Sequence, residues 1–357
     1  MPIYLDRHDV LDEVNAEHVA QMHQLDLKIQ HEYNCRGFTY WFDEKRKAGF
    51  CLIEAPNKNA IQEMHDHAHG AIPSQIIEVQ EDLVESFLGR IIDPEKQNGA
   101  DLNIIEESAF RVLMVLRVRG NNKEQKEIDA DLSGSIDNIK KILSDFDGSI
   151  VRMNYQNLLA SFTSVSNAVN CAEELINTVE GENTLKIGIS AGEPVTGNKR
   201  MFEDTIQLAE RLCDIVEGDI VVSSEVKELY ENENINTLSD INFLDVLNPG
   251  EIKFLTKLMD FTESVWNRPK LMIDDFSEQL GLSNSQVYRK ILSLTGKSPN
   301  NFLKEYRLNK AVDMLKKQTG NISEIAYEAG FNSPAYFSKC FLKSFGVSPS
   351  DYIKSIT

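Results

Sequence analysis

The segment MHDHAHG sets His65 and His69 four residues apart. On a helix that spacing puts two imidazoles on one face, where they can share a cation. His67 then points elsewhere, and His8, in DRHD at the end of an alternating apolar run, can join the pair. Imidazole serves nickel, zinc and copper alike, so the expected ligand is a divalent transition metal such as nickel, its identity left open by the donors. A lone histidine is more often a surface or satisfied core group, and His18, His23 and His31 read that way. No cysteine pair, catalytic triad or glycine-rich phosphate loop accompanies them.

A second chemistry lies at the other end of the chain. IDDFSEQLGLSNSQVYRKILSLTG and NISEIAYEAGFNSPAYFSKCFLKSFG repeat one grammar of helix, tight turn, helix. Asp275 with Glu278 is expected to form a capping box, Gly281 a left-handed stop, and Ser283 the next cap. Ser323, Gly330 and Ser333 with Pro334 take the same places fifty residues on. Within each second helix, Val287, Ile291 and Leu294, or Phe337, Phe341 and Phe345, recur at turn spacing. Ser285, Tyr288 and Arg289, or Ala335, Tyr336 and Lys339, fall on other faces that can enter a major groove. Arginine can bond guanine bidentately, whereas Pro334 and Ala335 offer only apolar contact to a thymine methyl. Lys290, Lys297 and Lys343 suit phosphates, which orient a domain without reading sequence. One such helix pair is more often a packing corner; two joined by a helix over about 300–317 make a DNA-reading module.

Charge placement supports that assignment. The whole chain of 357 residues carries a net charge of −19, which opposes nucleic acid. Residues 264–357, however, hold 13 Lys and Arg against 8 Asp and Glu, while the first 263 hold 24 against 48. All seven histidines fall within the first 69 residues, marking a separate N-terminal unit. Five scattered cysteines without a CxxC pair indicate neither a disulfide framework nor a zinc knuckle. Without a signal segment or an apolar run near the roughly 20 residues that span a bilayer, the expected location is the cytoplasm, with no membrane partner.

The elements divide the chain into an N-terminal unit (1–86), a polar linker (87–107), a second unit (108–242), a connecting helix (243–265) and a C-terminal helical module (266–357). The first reads strand, long helix, two strands, helix, strand, the order of a ferredoxin-like α+β sandwich. The second alternates strands and helices around RVLMVLRV, SIVRM, LLASF, LKIGISA and DIVVSS, implying an α/β or α+β sheet. The third contains no strand and is all-α.

Three resemblances follow from these residues. TGKSPNNFLKEYRLNKAVDMLK with ISEIAYEAGFNSPAYFSKCFLKSFGVSPSDY resembles the DNA-binding domain of AraC/XylS regulators over about 268–353. That resemblance implies double-stranded DNA as partner, with base-facing positions at Ser285, Tyr288 and Arg289 and at Pro334, Ala335, Tyr336 and Lys339. LDRHD, TYWFDE, FCLIEAP and the MHxxAHG segment resemble a family of small ferredoxin-like proteins that includes a nickel-binding member, over about 2–80. FRVLMVLRVRG, GSIVRMNYQNLLASF and LKIGISAGEPVTGN with FEDTIQLAERLCDIVEGDIVVSSEV resemble the catalytic domain of class III nucleotide cyclases over about 108–231. There the two metal-binding aspartates fall on Arg117 and Gln156, neither of which replaces an anionic ligand, and a helix-borne asparagine falls on Gln207. The family's arginine is kept as Arg211, for which a surface salt bridge is the simpler expectation. The resemblance therefore implies a non-catalytic, dimer-forming domain. The expected whole is a homodimeric transcriptional regulator controlled by a metal or small ligand, with RNA polymerase as a further partner. The alternatives are a cyclase-like enzyme using other ligands, and a metal-storage protein with an accessory DNA-binding tail.

Overall fold

The computed structural model describes residues 1–95, 102–120, 136–153, 157–178, 183–197, 199–235 and 241–356. Alternation of side chains along the first strand sets the N-terminal architecture. In β1 (Ile3–Asp9) Leu5 faces one side and Tyr4, Asp6 and His8 the other. α1 (Ala16–Ile29), β2 (Arg36–Asp43), β3 (Ala48–Glu54), α2 (Lys58–His69) and β4 (Gln75–Val79) complete an antiparallel sheet of order β2-β3-β1-β4. This is the expected α+β sandwich. α3 (Glu81–Leu88), which was not anticipated, follows it and buries Val84, Phe87 and Leu88.

β5 (Arg111–Gly120), α4 (136–145), β6 (Ser149–Met153), β7 (Asn157–Phe162), α5 (Val165–Thr178) and β8 (Asn183–Gly192) repeat the same strand-helix-strand-strand-helix-strand order, with sheet order β8-β5-β7-β6. Two parallel strands extend this second sheet: α6 (Glu203–Ile215) leads to β9 (Ile220–Ser223), and α7 (Ser224–Glu233) to β10 (Asp245–Leu247). Gly188 in β8 lets α6 lie against the sheet, because a Cβ there would fall 2.2 Å from the Ala209 carbonyl oxygen.

The two sheets share a core. Leu5, Trp41, Phe50, Leu52 and Ile77 of the first pack in one apolar cluster with Leu113, Val115 and Leu159 of the second. Opposite-facing residues Val112, Met114 and Leu116 pack with α4, α5 and α7. The stretch 87–107, expected as a linker, is tied into this assembly where it is described. Phe87, Leu88 and Ile105 are buried, and the Tyr40 hydroxyl donates to the Asn103 carbonyl (2.9 Å) while accepting from the Ile105 amide (2.9 Å).

The helical module comprises α8 (Pro249–Val265), α9 (Ile273–Leu280), α10 (Asn284–Thr295), α11 (Pro299–Lys316), α12 (Ile322–Glu328), α13 (Pro334–Phe345) and α14 (Pro349–Ile356). Among the described residues no helix is long and apolar enough to cross a membrane.

Candidate nucleic-acid interface and metal centre

The two short helix pairs begin and end largely as their sequences dictate. Gly281, at φ +65°, stops α9, and Ser283 caps α10 in a reciprocal box with Gln286. Ser333 caps α13 with Pro334 in its first turn. Two caps differ from expectation. α9 starts at Ile273, so Asp275 accepts from the Met272 amide (2.7 Å) and Glu278 lies too late to take part. α12 is capped by Asn321 with Glu324, which places Ser323 inside the helix. Arg307 of α11 donates to the carbonyls of Trp266 and Arg268 (2.7 and 2.5 Å), pinning the approach to the module.

Val287 and Ile291 in α10, and Phe337 and Phe341 in α13, are fully buried. Ser285, Tyr288, Arg289 and Lys290, and Ala335, Tyr336 and Lys339, are exposed, with Pro334 half-buried at the helix start. Each recognition helix thus presents its N-terminal half outward, as a groove reader must. Arg289 Nε donates to the Ser285 carbonyl (3.3 Å), which lays its guanidinium along the helix. Lys290 is turned toward α8, its ammonium 5.2 Å from the Phe254 ring. Both basic residues line a cleft of about 530 Å³ that Glu217, Asp245 and Glu251 line as well. Burial, with Asp219 and Glu217 nearby, raises the Asp245 carboxyl above its ordinary range. Lys297 is spoken for by Glu305 (2.6 Å).

In the middle domain, the position where the cyclase resemblance expects a metal-binding aspartate holds Arg117 in a bidentate pair with Asp214 (3.0 and 3.2 Å). Gln156 lies outside the described residues, and Gln207 sits part-buried on α6. Arg211 departs from its expected surface role. It is 5% exposed and donates to Asp260 (2.6 Å) and Glu263 (3.1 Å), tying α6 to α8.

The N-terminal histidines do converge. The rings of His8 and His65 lie 4.8 Å apart, those of His65 and His69 5.2 Å, and those of His8 and His69 6.5 Å. His67 instead meets the Tyr33 hydroxyl, His18 closes the α1 cap with Asn15, and His23 pairs with Asp93 (3.2 Å). Three further residues complete the cluster. Asp6 is fully buried and accepts from the Cys51 amide (2.9 Å) and from His65 Nε2 (2.9 Å). Asp26 meets His65 Nδ1 (3.1 Å) and His69 Nε2 (3.2 Å). Burial disfavours a charge on His65, but the hydrogen bonds it donates to Asp26 and Asp6 outweigh this and raise its pKa to about 10. Burial likewise works against the Asp6 carboxylate, yet His8 and His65 hold its pKa well below the usual range. The Cys51 thiol is pushed far up by burial and by Asp6 and Asp26.

One donor is left over. His8 Nε2 is buried and makes no hydrogen bond, although Asp6 Oδ1 lies 3.4 Å away. An orphaned imidazole nitrogen amid carboxylates and a thiol suits a borderline divalent cation, so these residues fit a transition metal. The missed residues differ in legibility. LDRHD places Asp6 on the face of His8 by simple alternation, and Asp26 continues the buried series Ala16, Val19, Ala20, His23 along α1. Cys51 enters only through strand pairing opposite Asp6.

Comparison with known proteins agrees at both ends of the chain. Residues 276–355 match the family described as a helix-turn-helix domain, and residues 4–79 the family described as nickel responsive protein SCO4226-like. Histidine kinase P4 of Formosa agariphila is 35% identical over 127 residues, 36% of this chain and 9% of that protein. The HTH-type transcriptional regulator MtrA of Neisseria gonorrhoeae is 34% identical over 100 residues, 28% of this chain and 32% of MtrA. The chain thus spans less than a third of the length of either relative. A solved transcriptional regulator of Chromobacterium violaceum, titled as having an AraC-type DNA-binding domain, is 27% identical with a TM-score of 0.29. It covers 31% of this chain and 97% of its own. The C-terminal module thus matches a helix-turn-helix domain family shared with named transcriptional regulators, and the N-terminal domain matches the family described as nickel responsive protein SCO4226-like.

Proposed function

We propose that this chain is a sequence-specific, cytoplasmic transcriptional regulator of the AraC type that binds double-stranded DNA as a homodimer and answers to a divalent transition metal such as nickel. The observation that carries the reading is the pair of outward-facing recognition helices in the one net-basic part of an acidic chain. Ser285, Tyr288 and Arg289 read bases in one groove segment, and Pro334, Ala335, Tyr336 and Lys339 meet the next. Lys290 reaches phosphate only by leaving Phe254. RNA polymerase is the natural partner once the module is on DNA.

The middle domain acts as a non-enzymatic, cyclase-related scaffold. Support comes from Arg117, a cation paired with Asp214 at the position where the cyclase resemblance expects a metal-binding aspartate. Dimerisation raises the effective concentration of a second module at a paired site. Metal is held in the N-terminal domain by residues drawn from His8, His65, His69 and their acidic neighbours, and it regulates by favouring one arrangement of the assembly over another.

Selection of genomic fragments by the purified full chain at physiological salt, with and without nickel, tests this. A shared motif whose recovery changes with nickel is the expected result. No enrichment over random DNA in either condition defeats the regulator reading. Cyclic nucleotide formed from ATP or GTP with manganese defeats the scaffold reading.

A further inference from the structure

The metal-responsive reading leaves open which side chains bind, and the three histidines are not equivalent. Both nitrogens of His65 already face carboxylate oxygens, Asp6 Oδ2 at 2.9 Å and Asp26 Oδ1 at 3.1 Å, and His69 Nε2 shares Asp26. His8 alone offers a buried nitrogen with no hydrogen bond, on a side chain nine-tenths buried. Across the β1–β3 register, Asp6 stands opposite Cys51, and His8 lies two residues along on the same face. The Asp6 carboxylate, a His8 nitrogen and the Cys51 sulfur all fall within 4.8 Å of one another. Ligands at bond lengths of about 2.0–2.3 Å in a tetrahedral site sit roughly 3.5 Å apart, so small side-chain rotations close the set.

We infer that Asp6, His8 and Cys51 form a distinct oxygen, nitrogen and sulfur site for a borderline divalent cation, nickel or zinc, with His65 as a positioning residue and not a ligand. The inference rests on the metal-responsive reading and sharpens it. A thiolate selects soft and borderline ions over magnesium and calcium. His65 holds the second Asp6 oxygen, the kind of outer partner that orients a ligating carboxylate. Asp26 and His69 in turn hold His65, which accounts for a second acidic and histidine group beside the first. On binding, the Cys51 thiol gives up its proton to buffer, and the cation takes its place on the sulfur.

The test titrates the reduced full chain with nickel or cobalt chloride and follows the near-ultraviolet sulfur-to-metal charge-transfer band. The expected result is a band in the wild-type chain that disappears in Cys51→Ser, with affinity falling more than about 10-fold, and that survives in His69→Ala. X-ray absorption of the nickel-loaded wild-type chain, which needs no variant, should show one sulfur bound to the metal. Metal binding without a sulfur signal, abolished by His69→Ala, overturns this site and moves the metal to Asp26, His65 and His69. A band that persists in Cys51→Ser overturns it in favour of another thiol. No binding of either ion overturns both the site and the metal-responsive reading.

Discussion

The two helix-turn-helix units share a grammar but not a core. In the first, Phe276, Val287, Ile291 and Leu294 pack with Leu212 of α6, Val216 just after it, Val221 of β9, Leu247 of β10 and Phe254 and Leu258 of α8. The Glu217 amide donates to the Leu294 carbonyl (3.0 Å), so the end of α10 is stitched to the middle domain by backbone as well. In the second, Leu308, Leu315, Ile325, Phe337 and Phe341 close among themselves with Trp266 and Tyr352. The same local signals thus yield one second helix packed into the middle domain and one held within its own module. Among the described residues, α10 packs directly on the middle domain, whereas α13 meets it through α11 and the end of α8, where Trp266 joins the second core.

The largest effects should come from the cores themselves. Phe337→Ala should cost about 3–5 kcal/mol and Ile291→Ala about 2–5 kcal/mol, but in different places. Native-state hydrogen exchange should show Phe337→Ala loosening only α11 to α14, and Ile291→Ala loosening α6 and α8 as well as α10. Loss of protection in α6 from Phe337→Ala would erase the distinction between the units.

Next comes recognition. Arg289→Ala should cost about 1–3 kcal/mol at one base position and relax preference there. Exposed Lys343, on the free unit, should instead weaken all sequences alike when replaced by Ala and reduce the salt slope by about 1. Competition binding to a panel of single-base variants at several salt concentrations separates the two. A uniform loss for Arg289→Ala would remove its reading role.

Much of this arrangement is legible in the sequence. Period-two runs and amphipathic helices gave the order of the first sandwich, and Gly281, Ser283, Ser333 and Pro334 marked both turns. Interfaces were not legible. The apolar face of β1, β2 and β3 reads as ordinary core, and nothing in the sequence says that its cover is the second sheet. β10 is three residues long, too short for periodicity to register. Arg211 looked like a surface charge because the acids that bury it, Asp260 and Glu263, lie about fifty residues away on α8. The candidate metal residues divide the same way: His8, His65 and His69 follow from spacing, whereas Cys51 depends on register across two strands.

The smallest effect concerns the caps, where the units are most alike. Ser283 accepts from the Gln286 amide while the Gln286 side chain accepts from the Ser283 amide, a reciprocal box. Ser333 accepts from the Tyr336 amide but receives no such return, and Pro334 follows it in the first turn. Proline has no amide to satisfy and its fixed φ already suits the helix, so less depends on the Ser333 hydroxyl. Replacement of an N-cap serine by alanine costs about 0.5–2 kcal/mol. Ser283→Ala should fall near the upper end of that range and Ser333→Ala near the lower. Denaturant unfolding gives both values, and the difference should appear again as weaker DNA binding for Ser283→Ala, since Ser285 and Tyr288 ride on the turn it secures. A larger loss for Ser333→Ala would mean that the free unit, lacking support from the middle domain, depends more on its own cap than the docked one does.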